Sequence, residues 1–273
     1  MNKKIGFIGC GNMGHAILLG LISSQVVSPQ QIIAYDIIPD ITAELANQHG
    51  IIAATSNADL ALQADIIFLA VKPDVVNSAL NDIAALLNPN QILVSIAAGI
   101  SLDAISAVVG AERKVVRVMP NTPALVREAI CSVTPNPQVT AEEMEQVNTL
   151  IGSIGRYEQV PEYLIHAVTG VGGSAPAFVF ILIEAMADAA VAGGLTRKQA
   201  YQFAAQTVLG SARLVLESGQ HPGALKDNVC SPGGTTIEGV AVLEDKGFRA
   251  AIYQAVRAST LKSVRLSQDT KPA

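Results

Sequence analysis

The chain has 273 residues, enough for one large domain or two ordinary ones; half of them are hydrophobic against 15% charged, and the mean hydropathy is +0.39. A net charge of -5, no tryptophan and 4% aromatic residues leave no basic, stacking-rich surface, which excludes nucleic acid as a partner. Cys10, Cys131 and Cys230 have neither disulfide-framework nor zinc spacing, so a reducing, cytoplasmic setting is expected.

The apolar run from Ile5 to Ile8 reads as a strand. It ends in Gly9-Cys10-Gly11-Asn12-Met13-Gly14, and an apolar helical pattern through Ala16, Ile17, Leu18, Leu21 and Ile22 follows at once. Strand, glycine turn and helix in that order form a dinucleotide-binding fingerprint. Gly9 allows the tight turn, Gly11 lets backbone approach a pyrophosphate, and Gly14 lets helix and strand pack closely. Free N–H groups at the helix start then face the anion. Lys3 and Lys4 precede apolar residues as in a signal peptide, but Gly6, Gly9 and Gly11 interrupt the run and argue against a secretory core. A second strand, residues 31–35, ends at Asp36, where an acid meets the adenosine ribose.

Strand and helix patterns then alternate. Helices are expected at residues 40–48, 58–63, 75–87 and 101–109, the last with Ser101 as N-cap, and strands at 51–54, 65–71, 91–96, 114–119 and 129–133. The run at 65–71 has no polar alternation, as in a parallel sheet covered on both faces. Such repeats build a doubly wound Rossmann-type sheet with its ligand at the carboxyl ends of the strands. Those ends hold Ile8 and the glycine turn, Asp36, Ala70-Val71-Lys72-Pro73 and Ala97-Ala98-Gly99. Lys72 reads either as a phosphate contact or as a surface lysine. Thr140 and Glu143 give a capping box for a further helix.

Near Pro161 the character changes, and residues 1–160 are expected to form the dinucleotide-binding domain and 161–273 an all-helical second domain. Helical stretches are expected at 162–192, 196–217 and 235–266, with an unstructured tail from Ser267. The first stretch is apolar nearly all round, which calls for burial in a dimer. Residues 175–195 are the one candidate for a membrane span, but Pro176, Glu184, Asp188 and Gly193-Gly194 argue against that. Glu184 and Asp188 share a face, either as a buried acid pair or as partners of basic or backbone groups across a subunit interface.

In the helical half, Asp227-Asn228-Val229-Cys230-Ser231-Pro232-Gly233-Gly234-Thr235-Thr236-Ile237 is the most unusual segment. A tight turn opens a helix with two hydroxyls and free N–H groups at its start. It is either a capped helix or a pocket for a carboxylate, which would gain roughly 0.3 to 1 kcal/mol from the helix dipole.

This segment, with Glu217-Ser218-Gly219-Gln220-His221-Pro222-Gly223, Leu225-Lys226, residues 7–13, Leu69 to Pro73, residues 97–99 and Met119-Pro120-Asn121-Thr122-Pro123, closely resembles the signature of the pyrroline-5-carboxylate reductase family. The resemblance runs essentially end to end. It departs at Ala175 and Phe178, where the family usually reads Gly and Tyr. It implies NADPH- or NADH-dependent reduction of L-1-pyrroline-5-carboxylate to L-proline, with hydride passing to the imine carbon. Thr236 would be the catalytic hydrogen-bonding group at the imine nitrogen, and Ser231, Gly233, Gly234, Thr235 and Thr236 the substrate site. Asn228 would touch the nicotinamide side of the cofactor, and Asn57 aligns with a residue that can face a 2'-phosphate. A homodimer is implied, and a larger ring such as a decamer. Family habit favours NADPH, whereas Asp36 repels a 2'-phosphate and favours NADH.

The rival readings are a β-hydroxyacid dehydrogenase or imine reductase, with Lys226 as the charged catalytic group, and a non-catalytic dinucleotide-binding regulator. His15, His49, His166 and His221 show no metal spacing, so solvated or capping roles and no metal are expected.

Overall fold

The computed structural model of the chain describes residues 1–269. It divides into two compact units, Met1–Gly173 with the chain from Thr260 onward, and Ser174–Ser259.

The first unit is built on eight strands: β1 (Ile5–Ile8), β2 (Ile32–Tyr35), β3 (Ile52–Ala53), β4 (Ile66–Leu69), β5 (Ile92–Ser95), β6 (Lys114–Met119), β7 (Ala129–Pro135) and β8 (Gly155–Gln159). Their order is β3-β2-β1-β4-β5-β6-β7-β8, parallel throughout except for the antiparallel pair β6 and β7. The chain runs from β1 out to β2 and β3 on one side and returns to β4 on the other, so the topological switch point lies between the ends of β1 and β4, beside Gly9 and Ala70.

Helices α1 (Asn12–Ser23), α2 (Pro39–His49), α3 (Asn57–Gln63), α4 (Val76–Ile83), α5 (Leu102–Val109) and α6 (Ala141–Ile151) follow β1, β2, β3, β4, β5 and β7. The strand pleat sorts the core into two layers. Ile5 and Phe7 pack with Ile17, Leu21 and Val147 on one face, while Ile8, Ile33 and Ile67 pack with Leu60, Leu80 and Ile105 on the other. Phe7 stacks on Phe68 at 4.9 Å between ring centres, fixing β1 against β4 beneath the switch point.

From Pro161 on, the described elements are helical. The chain passes through α7 (Ile165–Val168) and one π-helical turn (Thr169–Ser174) into α8 (Ala175–Ala192), α9 (Arg197–Ser218), α10 (Pro222–Val229), α11 (Thr235–Asp245) and α12 (Phe248–Asp269). Glycine at 170, 172 and 173 and Pro176 at the second position of α8 are where the widened turn occurs. Ser101 and Thr140 cap as expected: the Ser101 hydroxyl accepts from the Ala104 N–H, and Thr140 and Glu143 form the capping box.

Several expectations need correction. The stretch 235–266 is two helices, because Gly247 at φ +70 ends α11 and redirects the chain. The expected tail is partly helical, since α12 runs through residues 267–269; the remaining residues, 270–273, lie outside those described. Strand β8 was not anticipated: Gly-Arg-Tyr-Glu-Gln is a mostly exposed sheet edge with no apolar run. Between β6 and β7 lies a 3-10 turn (Thr122–Val126) that reverses the chain, in a segment to which the sequence pattern assigns no element. The hydrophobic stretch Glu162–Ala192 is long and apolar enough to cross a membrane by length and composition. A single chain buries little of it: in α8 only Ala187 is buried, and Phe180 and Ile181 are 62% and 64% exposed.

Candidate active site

At the switch point Gly9 sits at φ +90, its N–H donating to the Tyr35 carbonyl at 2.8 Å. A Cβ there would stand 2.9 Å from the Ala70 carbonyl, and one on Gly14 would stand 2.6 Å from the Gly9 carbonyl. These two glycines therefore let β1, β4 and α1 meet. Gly11 differs, because a Cβ on it would meet nothing within 4 Å. It is the N-cap of α1, and no side chain caps that helix. Open space above an uncapped helix start is what a pyrophosphate requires.

Asp36 closes the turn. Its Oδ2 accepts from the Cys10 N–H at 2.8 Å and its Oδ1 from the Ile38 N–H at 3.0 Å, so the carboxylate is fixed at the end of β2. Burial first, and then the Asp36 charge, push the Cys10 thiol up to about 12. Cys10 thus joins the turn through its backbone, and its thiol stays neutral.

A groove of about 460 Å³ runs from this turn, lined by Ile8, Gly9, Gly11, Asp36, Asn57, Ala70, Val71 and Lys72, all expected at a cofactor. Its size and its glycine-lined mouth fit one end of a dinucleotide. Cys10, Gly11 and Asn12 also border a smaller hollow with His15 and Glu44. Met13 packs on the core below, and Pro73 opens a 3-10 turn after β4. Ala97, Ala98 and Gly99 lie just past β5 and are not among the groove-lining residues. Asn57 donates to Asp82 at 2.9 Å. The residues not anticipated are Tyr35, Ile37, Ile38, Val75, Ser78, Ala79 and Asp82. Val75 lies just before α4, and on α4 the spacing of 78, 79 and 82 marks one helix face, but periodicity alone does not say that this face borders a ligand.

The Ser-Pro-Gly-Gly-Thr-Thr segment lies in the second unit. The Gly234 N–H donates to the Ser231 carbonyl at 3.0 Å, closing a turn in which Gly233 adopts φ +64. Gly234 is the N-cap of α11, and again no side chain caps the helix. A Cβ on Gly234 would collide with the Ser231 hydroxyl, which explains the glycine. Thr236 is half-buried while Ser231, Gly233 and Thr235 are exposed. Asn228 is exposed on the last turn of α10. By contrast, α6 and α9 carry full capping boxes.

Lys226 pairs with Asp227, a hydrogen bond that raises its pKa; a lysine held protonated has no free amine to act as a base. His221 caps α10 by accepting from the Gly223 N–H. Asp188 pairs with Arg197 of the same chain.

A doubly wound sheet with a glycine turn at its switch point, an acid at the end of β2 and a helical half define a nicotinamide-dinucleotide-dependent oxidoreductase. Residues 162–266 match the family model for pyrroline-5-carboxylate reductase dimerisation, and residues 4–99 the model for NADP oxidoreductase, coenzyme F420-dependent. The chain is 56% identical over 268 residues to pyrroline-5-carboxylate reductase of Escherichia coli (strain K12), covering 98% of this chain and 100% of that one. It belongs to the pyrroline-5-carboxylate reductase family. Among solved structures it is similar to a pyrroline-5-carboxylate reductase from Coxiella burnetii, with 31% identity, TM-score 0.92 and coverage of 97% and 99% of the two chains. It is also similar to the Plasmodium falciparum pyrroline carboxylate reductase with NADP bound, with 34% identity, TM-score 0.87 and coverage of 97% and 98%. 3-Hydroxyisobutyrate dehydrogenase from Mycobacterium tuberculosis, at 14% identity and TM-score 0.53, shares the fold alone.

Proposed function

We propose that this reductase holds its two anionic ligands at two glycine-capped helix starts, the dinucleotide at α1 and the substrate carboxylate at α11. The reaction is reduction of L-1-pyrroline-5-carboxylate to L-proline, the last step of proline biosynthesis. A reduced nicotinamide, when bound, supplies the hydride that the imine carbon accepts. The chain's own residues bind and orient. The N–H groups of Gly234, Thr235 and Thr236 hold the carboxylate, with Ser231 and Gly233 shaping the turn, and the Thr236 hydroxyl hydrogen-bonds at the imine nitrogen. A protonated imine is already electrophilic, so positioning suffices and no strong base is needed. Asn228 faces the nicotinamide side. Around the dinucleotide, residues 8–14 hold the pyrophosphate, Ala70 to Pro73 and Ala97 to Gly99 the remaining edge, and Asp36 and Asn57 the adenosine ribose.

Asp36 favours NADH. At 4 Å and an effective dielectric near 20, each pair of like unit charges costs about 4 kcal/mol before screening, so a 2'-phosphate is repelled where a 2'-hydroxyl can donate. Asn57 offsets this only in part, because one of its two amide N–H donors is engaged by Asp82. Lys72 is the single cation among the groove-lining residues, against Asp36 and Asp82.

The working form is a cytoplasmic homodimer, with a larger ring such as a decamer as the further assembly. The dimerisation family match and the uncovered apolar faces of α8 support this.

The observation that carries the reading is the uncapped start of α11, where a tight turn at Gly234, with room for a Cβ only if the Ser231 hydroxyl moves aside, leaves no side-chain cap beside Thr236. Oxidation of NADH on addition of pyrroline-5-carboxylate, with L-proline formed, tests it. Binding of NADH without turnover would instead mark a regulator. A tenfold or greater kcat/KM advantage for NADPH over NADH would refute the cofactor preference.

A further inference from the structure

Ile37 and Ile38, just past β2, are 85% and 54% exposed, and Val75, just before α4, is 42% exposed. Neither core layer includes them, yet all three line the groove that starts at Gly11 and Asp36. Along α4 the same groove is lined by Ser78, Ala79 and Asp82, polar at 78 and 82. Apolar walls with a polar wall between them suit a flat heteroaromatic base, whose faces are apolar and whose edge is not.

Asp82 is the charged group of that polar wall. One of its oxygens, Oδ2, accepts from Asn57 Nδ2 at 2.9 Å. A carboxylate cannot donate, so this contact fixes which end of the Asn57 amide faces it. Asn57 in turn orients the carboxylate, and among the described residues no donor to the other oxygen, Oδ1, is found. An oriented carboxylate with spare lone pairs selects for a donor on the ligand and against an acceptor.

We infer that Asp82 reads the base of the dinucleotide, accepting a hydrogen bond from the exocyclic amino group of adenine and rejecting a base with a keto oxygen at that position. This rests on the dinucleotide reading above and adds to it a specificity-determining residue separate from Asp36. Asp36 serves the ribose, and Asp82 the base edge.

The test compares dissociation constants of NADH and of reduced nicotinamide hypoxanthine dinucleotide, which differs from NADH by a keto oxygen in place of the amino group. Both are measured by calorimetry on the full-length native enzyme and on Asp82→Ala and Asp82→Asn, with matching unfolding midpoints establishing that the variants fold. The native enzyme should bind NADH about fivefold or more tightly than the hypoxanthine dinucleotide, the size of one charge-assisted hydrogen bond at an exposed site. Asp82→Ala should weaken NADH to the hypoxanthine level and leave hypoxanthine binding unchanged. Asp82→Asn should narrow or reverse the ratio, because an amide can turn its N–H toward the keto oxygen. Equal affinities in the native enzyme, or equal losses of both dinucleotides in Asp82→Ala, would overturn the inference and reduce Asp82 to a support for Asn57. If NADH itself does not bind, the dinucleotide reading fails together with it; if NADH binds without base discrimination, only the role of Asp82 fails.

Discussion

In the reaction proposed above, Thr236, half-buried at the start of α11, is the residue that meets the imine nitrogen. Thr236→Ala should lower kcat by about a hundredfold, the lower range for loss of a positioned proton-handling group, while Thr236→Ser keeps most of the rate. Affinity for NADH, measured separately, should not change in either variant. At the other helix start, Asp36→Ser should raise kcat/KM for NADPH relative to NADH by tenfold or more. The cysteines divide by environment. Burial pushes Cys131 up to about 12, as burial and Asp36 do Cys10, while Cys230 is partly exposed in the second unit. Near neutral pH, iodoacetamide followed by mass spectrometry should therefore find Cys230 modified and the other two intact. Asp36 and the glycine turn were legible in the sequence because each is dictated by backbone geometry or charge at one position. Asp82 was not. It lines the groove from α4 and bonds Asn57 at the start of α3, and no spacing rule foretells a side-chain contact between two separate helices.

Among elements, α1 shows how closely a glycine can bind sequence to architecture. Gly14→Ala would place a methyl carbon 2.6 Å from the Gly9 carbonyl and 3.1 Å from the Ala70 Cβ. The expected loss is about 1 to 3 kcal/mol in urea unfolding, together with loss of NADH binding as the turn opens. The same substitution at Gly11 meets no protein atom within 4 Å, so Gly11→Ala should keep the stability and lose only the cofactor. That pair separates glycine for packing from glycine for ligand approach. Strands β1, β4 and β5 were readable because burial on both faces leaves an unbroken apolar run. Strand β8 carries the opposite signal: its edge position rewards Arg156 and Glu158, which read as loop. The division of α11 from α12 could have been found, since Lys246-Gly247 is a helix-ending pair inside an otherwise continuous pattern.

At the scale of the molecule, α8 reconciles a hydropathic composition with a family of dimerising enzymes. Phe180, Ile181 and Phe203 are more than half exposed on one chain, and the dimerisation family model covers that region. Replacing Ile181 with Glu should shift the enzyme to monomer in light scattering and abolish turnover with it. The need for cover on α8 was legible in its residues, because an all-apolar helix has no face suited to water. Those residues call for burial, and a single chain does not supply it.

The two helix starts closed only by glycine have one more consequence. If the ligands bind there as proposed, a small oxyanion in the medium competes for the same donors. Sulfate or inorganic phosphate should act as a weak competitor against both substrates, and the apparent KM for each should drift upward in a phosphate buffer relative to a zwitterionic one held at equal ionic strength.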